Sequence, residues 1–510
     1  MDRKWWTLIA VCLGTFMLLL DITIVNVALP DIQKELHSSF SDLQWVVDAY
    51  ALMLAALLLT GGSMADLFGR RRVFAIGLVL FTCASVLCGL ATTPLFLNLA
   101  RGLQGAGGAL MFATSLALLA QEFQGRERGT AFGAWGATTG AAVAVGPLIG
   151  GLLTDGLGWE WIFFVNAPIG AFTLALTLTR LREGRPTAGA QIDWPGLFLW
   201  TGGLFAFVFA LIRGNAEGWG STPIVALLAG AAVLLVAFLA WERIAPHPML
   251  DLRLFRKPAF DGASITAFAL SAAMFSMFLY IVLYIQNVLG YSPLEAGLRF
   301  LPVTLVSFAV APVSGKLSAR LPIRGFLGGG LTLVGLGLLL MHGLTLDSDW
   351  TALLAGFVVA GAGIGMINPP LASAAVSVVE PERSGMASGI NSTFRQVGIA
   401  TGIAGLGAVF QGRVEARLTD LLASVPGLAP GKAEALAGSV SSGGGQAAVQ
   451  GAPPEARAAV VRASKEAFIG GLNEILLIAA AVAFAAAVLA FVLTRERDFV
   501  TAPAPEGAAA

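Results

Sequence analysis

A single acidic residue inside the first apolar segment is the most informative feature of the sequence. Asp21 is the only charged residue in the 23-residue run 5–27, and a run of that length can cross a bilayer as one helix. A carboxylate at the centre of such a helix costs about 2.5–3.5 kcal/mol on insertion scales and usually marks a functional site. A buried acid can take up a proton or attract a cation, and Asn26 adds a polar group nearby.

A second charge, Arg101, lies in another apolar segment near 95–120. Asp21 precedes Pro30 by nine residues, and Arg101 follows Pro94 by seven; we place the outer ends of the two helices at these prolines. At about 1.5 Å per residue, the side chains lie about 13 Å and about 10 Å from those ends. Their similar depth predicts that they can pair. The alternative is that Arg101 extends to the outer headgroups.

The elements that position these residues are membrane helices. The chain has 510 residues, 56% of them hydrophobic and 12% charged, with a mean hydropathy of +0.80, whereas soluble domains carry about 25% charged residues. The fold class is therefore an all-α polytopic membrane protein. Lys and Arg concentrate in the loops on one side, which predicts that both termini are cytoplasmic. Fourteen apolar segments of spanning length occur near 5–27, 43–62, 73–90, 95–120, 129–153, 161–180, 194–212, 222–241, 262–286, 294–314, 326–344, 350–373, 385–411 and 468–493.

Composition and motifs also exclude several function classes. The chain has 31 basic and 31 acidic residues and no basic tract, so nothing supports a nucleic-acid partner. Its three cysteines and three histidines are scattered, a pattern that predicts neither a zinc site nor a disulfide framework. No G-x-x-x-x-G-K-[ST] nucleotide loop is present. We therefore expect no enzymatic activity, no cofactor and an ion gradient as the energy source.

An internal repeat organises the segments. Adding 253 to the first five segments places them on segments nine to thirteen within a few residues. Only the sixth fails, because the long segment 412–467 precedes the last span. The predicted plan is six helices, two inserted helices and six more, divided as 1–185, 186–250 and 251–510. The segment 412–467 is predicted to be an external loop that is flexible and contains some amphipathic helix. Two halves of equal orientation imply an axis along the membrane normal and a site between them, which suits alternating access.

The loop between the second and third segments reads G-S-M-A-D-L-F-G-R-R-R. Its glycines permit a tight turn, and Asp66 is placed to pair with Arg70 and to cap the next helix. The loop resembles the signature of the major facilitator superfamily, G-x-L-a-D-r-x-G-r-[RK], and matches it at Gly62, Asp66, Gly69 and Arg70. The resemblance implies a loop that latches the two halves in one state. A basic loop that only sets topology is the alternative.

Segments four and five resemble further motifs of the same superfamily. L-N-L-A-R-G-L-Q-G-A-G-G is similar to the family's R-x-x-q-G motif, which implies a role in proton transfer for Arg101. Segment five contains G-P-L-I-G-G and is similar to the G-P-x-x-G-G motif of exporting members. Ordinary packing of small residues is the alternative. The matching residues are Gly146, Pro147, Gly150 and Gly151.

Three other stretches narrow the resemblance to the fourteen-spanner drug:proton antiporters. They read L-D-I-T-I-V-N-V-A-L-P, W-I-F-F-V-N-A-P-I-G and S-T-F-R-Q-V-G, and the resemblance covers nearly the whole chain apart from 412–467. It implies a multidrug efflux transporter of major facilitator fold in the cytoplasmic membrane, surrounded by lipid and acting as a monomer. Small hydrophobic, cationic compounds would leave in exchange for protons bound at Asp21. An exporter of an endogenous metabolite, lipid or amino acid, and a membrane sensor without transport, remain the alternatives.

Three further charged residues are candidates for the same site. Asp48 lies about 8 Å inside the second segment and is either a second proton or cation site or an interfacial residue. Glu295 is a candidate for coupling, or it simply pairs with Arg299 one turn away. Arg395 lies about 15 Å inside segment thirteen, where it either ties helices together or lines the cavity.

Overall fold

The computed structural model describes residues 2–38, 40–184, 192–318, 320–380, 383–423, 453 and 455–495, without the side chains of Asn26, Phe40, Ser41, Gly125, Arg126, Val143, Ala144, Pro147, Ala216 and Pro293. Every regular element in this part of the chain is a helix, so the all-α class is confirmed. The candidate side chains of Asn26 and Pro147 lie outside the described residues, and so does 424–452 of the predicted external loop.

Seven helices form the first half of the fold. Helix α4 packs against α2 and α3, and α1 packs against α5 and α7. The predicted segment 161–180 is divided at Val165 into two helices, because Pro168 cannot supply the main-chain N–H of a continuous helix. The bounds are α1 Arg3–Glu35, α2 Phe40–Phe68, α3 Arg70–Gly89, α4 Pro94–Glu122, α5 Gly125–Leu157, α6 Trp161–Phe164 and α7 Asn166–Arg180.

Ten further helices complete the described chain. The first two, α8 (Trp194–Glu217) and α9 (Thr222–Glu242), are the pair predicted to be inserted. Two π-helical turns, Ser271–Phe275 and Tyr284–Val288, continue the axis from α10 through α11. The later bounds are α10 Pro258–Leu270, α11 Ser276–Leu283, α12 Pro293–Arg299, α13 Leu301–Leu317, α14 Ile323–Leu340, α15 Leu354–Ser377, α16 Ser384–Ala423 and α17 Arg457–Leu493.

The predicted loop 412–467 is helical at both of its ends. Helix α16 continues to Ala423 and α17 already begins at Arg457, so both ends of this segment are helical, in keeping with the amphipathic helix expected within it. The cause is that both helices extend beyond their apolar parts: Val414 and Leu418 are buried, while charged residues such as Arg413 stay exposed. This amphipathic pattern continues a helix outside an apolar run.

Helix bounds agree with the predicted repeat. Helix α2 begins at Phe40 and α12 at Pro293, while α3 begins at Arg70 and α14 at Ile323, so both pairs are separated by 253 residues. Twelve helices within the described residues are long and apolar enough to cross a membrane. The other two predicted spans correspond to shorter apolar helices, Leu148–Leu157 within α5 and Leu301–Leu317.

Helix α8 lies against both halves of the fold. The halves themselves meet where α5 packs on α13 and α15, and where α2 and α4 pack on α16. Helix α8 packs on α2 and α16 at this seam. The hydroxyls of Thr60 and Thr201 are 3.2 Å apart, and Asn215 Nδ2 donates to the main-chain oxygen of Ala404 at 3.2 Å. Helix α8 is therefore hydrogen-bonded to both halves.

Candidate functional site

Asp21 and Arg101 form a buried ion pair between α1 and α4. Arg101 Nη1 donates to Asp21 Oδ2 at 2.5 Å, and the two side chains are 0% and 1% exposed. The contact predicted from their depths is confirmed, and the alternative in which Arg101 extends to the headgroups is wrong. Removing one partner of such a pair leaves an uncompensated buried charge, which is strongly destabilising.

Two amide side chains complete the coordination of this pair. Gln104 Nε2 donates to Asp21 Oδ1 at 2.8 Å, and Asn166 Nδ2 donates to the same oxygen at 3.3 Å. Gln104 Oε1 also accepts from Arg101 Nη1 at 2.7 Å. Neither amide was predicted from the sequence as a site residue. Gln104 was detectable because it lies three residues after Arg101 on the same helix face, whereas only the fold brings Asn166 to Asp21.

A second set of contacts fixes the cluster to two more helices. Arg101 Nε donates to the main-chain oxygen of Val46 at 2.9 Å, and its guanidinium carbon lies 4.4 Å from the centroid of the Tyr50 ring on α2. Asn166 Nδ2 also donates to Ser85 Oγ of α3 at 3.0 Å. Asp21 is therefore surrounded by hydrogen-bond donors from α4 and α7. A proton on its carboxylate would remove the charge that holds Arg101.

Replacing Gln104 tests whether this cluster holds the first half together. We expect Gln104→Ala to destabilise the protein by about 1.5–3 kcal/mol, the range for a hydrogen bond to a charged group. The midpoint of thermal unfolding in detergent should fall, whereas Gln33→Ala, at an exposed position, should leave it unchanged. Equal midpoints for the two variants would contradict a structural role for Gln104.

The glycine motif of α5 packs against α1 beside Asp21. A Cβ atom on Gly146 would lie 1.8 Å from Thr23 Oγ1, and one on Gly150 would lie 3.0 Å from Ile24 Cγ1. At Gly151 a Cβ would meet nothing within 4 Å. The close approach of the helix that carries Asp21 therefore requires Gly146, leaves little room for a side chain at Gly150 and does not constrain Gly151.

The signature loop joins the two halves through Asp66. Asp66 Oδ1 accepts from Gly385 N at 2.9 Å and Oδ2 accepts from Met386 N at 2.7 Å, a favourable place for an anion because these amides open α16. The predicted pair with Arg70 is confirmed at 3.3 Å. A Cβ on Gly62 would lie 2.3 Å from Gly385 O. We call Gly62, Asp66, Gly385 and Met386 the latch.

The helix that Asp66 caps differs from the predicted one. We expected a cap on α3, but its N-cap residue, Gly69, provides no side-chain bond and has a φ of 97°. Glu183 Oε1 instead accepts from Arg71 N at 3.1 Å. The local sequence could not reveal this exchange, because both capping carboxylates come from distant parts of the chain.

Two other candidates lie apart from the Asp21 cluster. Asp48 is partly buried on α2 and interacts electrostatically with Arg213 of the inserted helix α8. Glu295 is exposed, and its Oε2 accepts from Ser292 N at 2.9 Å in a capping box. Arg299 Nη1 donates to the main-chain oxygen of Glu295. The carboxylate of Glu295 therefore caps its own helix. It also interacts electrostatically with Arg299, as the alternative to a coupling role predicted.

Arg395 is buried on α16 and ties this helix to α15. Its Nη1 donates to Asn368 Oδ1 at 3.1 Å, and the residue is 7% exposed. This contact agrees with the predicted role in joining helices, and the alternative role in lining a cavity stays a prediction. Its described hydrogen bond leads to the second half of the fold, not to Asp21. Of the charges proposed for coupling or substrate binding, the structure therefore pairs only Asp21 with Arg101.

Comparisons with known proteins agree with this architecture. Residues 11–403 match the family model described as Major Facilitator Superfamily. The multidrug resistance protein Stp of Mycobacterium tuberculosis is 40% identical over 417 residues, covering 81% of this chain and 77% of Stp. The tetracenomycin C resistance and export protein of Streptomyces glaucescens is 34% identical over 501 residues, covering 97% of this chain and 92% of that protein.

A solved structure shares the fold at low sequence identity. The proton:xylose symporter XylE superposes with a TM-score of 0.65 at 12% identity, covering 97% of this chain and 96% of XylE. The family match extends over most of the chain. The 40% sequence identity to Stp is far above the 12% identity to XylE, which shares the fold. The chain therefore belongs to the major facilitator superfamily, and it is a multi-span membrane transporter rather than an enzyme.

Proposed function

We propose that this protein is a proton-coupled antiporter that exports hydrophobic, drug-like compounds across the cytoplasmic membrane by alternating access. The observation that carries the proposal is the fully buried pair of Asp21 and Arg101. A titratable acid at this depth is a functional group by default in a membrane protein. Relatives named for multidrug resistance and for antibiotic export support the substrate class. The coupling ion is the proton, and no cofactor takes part.

The proposed arrangement has fourteen spans in a plan of six, two and six. The divisions are 1–185, 186–250 and 251–510, with both termini in the cytoplasm and with lipid around a monomer. The separation of 253 residues between corresponding helices supports the two six-helix repeats. The arginines after the second span support the cytoplasmic side of that loop, because positive residues are retained inside.

In this mechanism the proton and the substrate compete for one state of the first half. When Asp21 is charged, it holds Arg101 and the two amides. A proton from outside cancels this charge and frees the guanidinium, so the helices that carry the pair can shift against each other. The latch is closed, and we assign this conformation to closure at the cytoplasmic end. A cationic substrate, as the sequence led us to expect, would have to displace Arg101 from Asp21.

Transport in proteoliposomes with an imposed pH gradient tests this proposal. Purified protein should move a hydrophobic fluorescent dye against its concentration gradient toward the acidic side, and a protonophore should stop it. Empty liposomes and liposomes without a pH gradient are the controls. Failure to accumulate any of a panel of cationic, neutral and anionic dyes under the gradient would refute the antiporter function.

A further inference from the structure

A face of α16 carries buried polar atoms that have no partner in the protein. Ser388, Asn391 and Arg395 are three and four residues apart, so they lie on one face of the helix. They are 0%, 2% and 7% exposed. Ser388 Oγ, both amide atoms of Asn391 and Arg395 Nη2 make no hydrogen bond to any described residue. Buried polar atoms are nearly always paired, so four unpaired atoms on one face indicate a place where a polar group can bind.

The charge of this face is also uncompensated. No acidic residue in the described chain interacts electrostatically with the Arg395 guanidinium. Its hydrogen bond to Asn368 is to a neutral amide. The two other buried arginines differ in this respect, because Arg101 pairs with Asp21 and Arg70 with Asp66. A guanidinium in an apolar interior requires a partner of opposite charge. A group that binds at this face and compensates its charge is therefore an anion.

The position of Arg395 fits a substrate site between the halves. Arg395 lies eleven residues beyond Ser384, which is about 17 Å along α16 and near the middle of a bilayer core of about 30 Å. Asn368 faces the other half, since a Cβ on Gly136 of α5 would lie 3.5 Å from Asn368 Cβ. One turn further along α5, a Cβ on Gly140 would meet nothing within 4 Å. Open space thus lies next to this seam.

We propose that Arg395 and Asn391 bind an anionic group, such as a carboxylate, on the hydrophobic compounds that the protein exports. The planar guanidinium matches the two oxygens of a carboxylate. Asn391 adds one donor and one acceptor, and Ser388 adds a hydroxyl one turn nearer to the latch. This inference rests on the proposed export function and revises its substrate class. Asp21 is already fully paired, whereas Arg395 is not, so the described charges select an acidic compound over a purely cationic one.

Two dyes that differ in one group provide the test. A rhodamine with a free carboxyl group and its methyl ester share the same cationic ring system, and only the first carries an anion. We expect the wild-type protein in lipid nanodiscs to bind the free acid roughly tenfold or more tightly than the ester, measured by fluorescence polarisation. Arg395→Gln should remove this preference and leave the affinity for the ester within about twofold, because no charged hydrogen bond to it is lost.

Matched variants separate the loss of the anion site from a loss of fold. Arg413→Gln removes an exposed arginine of the same helix, which pairs with Glu474, and should retain the full preference. Arg395→Lys keeps the positive charge but loses the planar guanidinium that can bind both carboxylate oxygens, and it should retain part of the preference for the free acid. Asn391→Ala should lower the affinity for the free acid without affecting the ester. This last variant carries the test if Arg395→Gln does not elute as a folded monomer in size-exclusion chromatography.

Salt exchange distinguishes a group on the substrate from a free inorganic anion. The preference for the free acid should persist when chloride is replaced by methanesulfonate. If acid binding appears only without chloride, and chloride stabilises the wild type but not Arg395→Gln, the site holds an inorganic anion and the assignment is overturned. Equal binding of the two dyes by the wild type, or an unchanged preference in Arg395→Gln, also overturns it. Export of the ester under a pH gradient would still uphold the antiporter function in those cases.

Discussion

Asp21→Asn is expected to abolish uphill export driven by a pH gradient. The amide has almost the same size as the carboxyl group, but it cannot gain or lose a proton near neutral pH. If coupling depends on the charge of Asp21, the variant remains in a single charge state. Accumulation of dye in proteoliposomes should then fall to the level measured without a gradient.

A second measurement shows whether the variant has lost coupling or has lost its fold. Asp21→Asn should still exchange labelled for unlabelled dye across the membrane without a gradient, because that exchange needs the substrate site but no proton. Asp155→Asn, which neutralises an exposed acid on α5, should behave as the wild type in both assays. Gradient-driven accumulation by Asp21→Asn at the wild-type level would exclude Asp21 as the coupling residue.

The neutral variant also affects stability, since it leaves Arg101 without its counter-ion. Breaking a buried pair by removing one partner costs about 3–5 kcal/mol. The double variant Asp21→Asn with Arg101→Gln removes both charges, and replacing a whole buried pair is often nearly neutral. The double variant should therefore unfold at a higher temperature than Asp21→Asn alone while remaining uncoupled. The comparison of the single and double variants therefore distinguishes the effect of Asp21 on stability from its effect on coupling.

The sequence predicted the Asp21–Arg101 contact because helices are rigid rods with a fixed rise. Counting residues from two prolines gave the depth of each side chain, and a contact at one depth needs only that the helices be neighbours. Asn166 was not predictable in this way, because a turn at Val165 separates α6 from α7 and sets where the amide lies. A hydropathy pattern records burial but not the rotation of one helix against another.

Asp66 likewise makes one contact that the sequence could predict and two that it could not. Its pairing with Arg70 is local, four residues apart on the chain, and was predictable. Its bonds to Gly385 and Met386 span more than half of the chain, so the repeat pattern could not specify them. Likewise, the helical ends of 412–467 depend on contacts between α16 and α17. Burial of one face by a partner helix, not hydropathy, continues these helices.

Gly62→Ala is expected to open the latch. Alanine normally favours a helix over glycine, so the substitution should be harmless unless the space is occupied. Here the added Cβ would lie 2.3 Å from Gly385 O and 3.2 Å from Gly389 Cα. These are main-chain atoms at the start of α16, which cannot rotate away as a side chain would. Helix α2 must therefore separate from α16, and the two hydrogen bonds of Asp66 lengthen.

The size of this effect follows from the cost of overpacking. Inserting a methyl group into a tight contact costs about 1–3 kcal/mol, and about 1.4 kcal/mol corresponds to a factor of ten in an equilibrium. The population that is closed at the latch should therefore fall by roughly tenfold relative to the open one. A second close contact on the same side, between Gly129 of α5 and Gly315 of α13, opposes full opening. A Cβ on Gly129 would lie 1.9 Å from the main-chain oxygen of Gly315.

Labelling of a buried cysteine measures this opening directly. Ser388→Cys places a thiol at a position that is 0% exposed and one turn beyond the latch, in a background in which Cys12, Cys83 and Cys88 are replaced. A membrane-impermeant maleimide added on the side of the α2–α3 loop should react roughly tenfold faster when Gly62→Ala is present.

Gly405→Ala is the matched control for this experiment, because it adds the same methyl group to α16 where a Cβ meets nothing within 4 Å. Its labelling rate should equal that of the parent protein. If Gly62→Ala also labels at the parent rate, the close approach of α2 and α16 does not hold this end closed. If it labels faster but exports dye normally, latch closure is not required for export. Fast labelling together with lost uphill export would assign the latch to the conformational cycle.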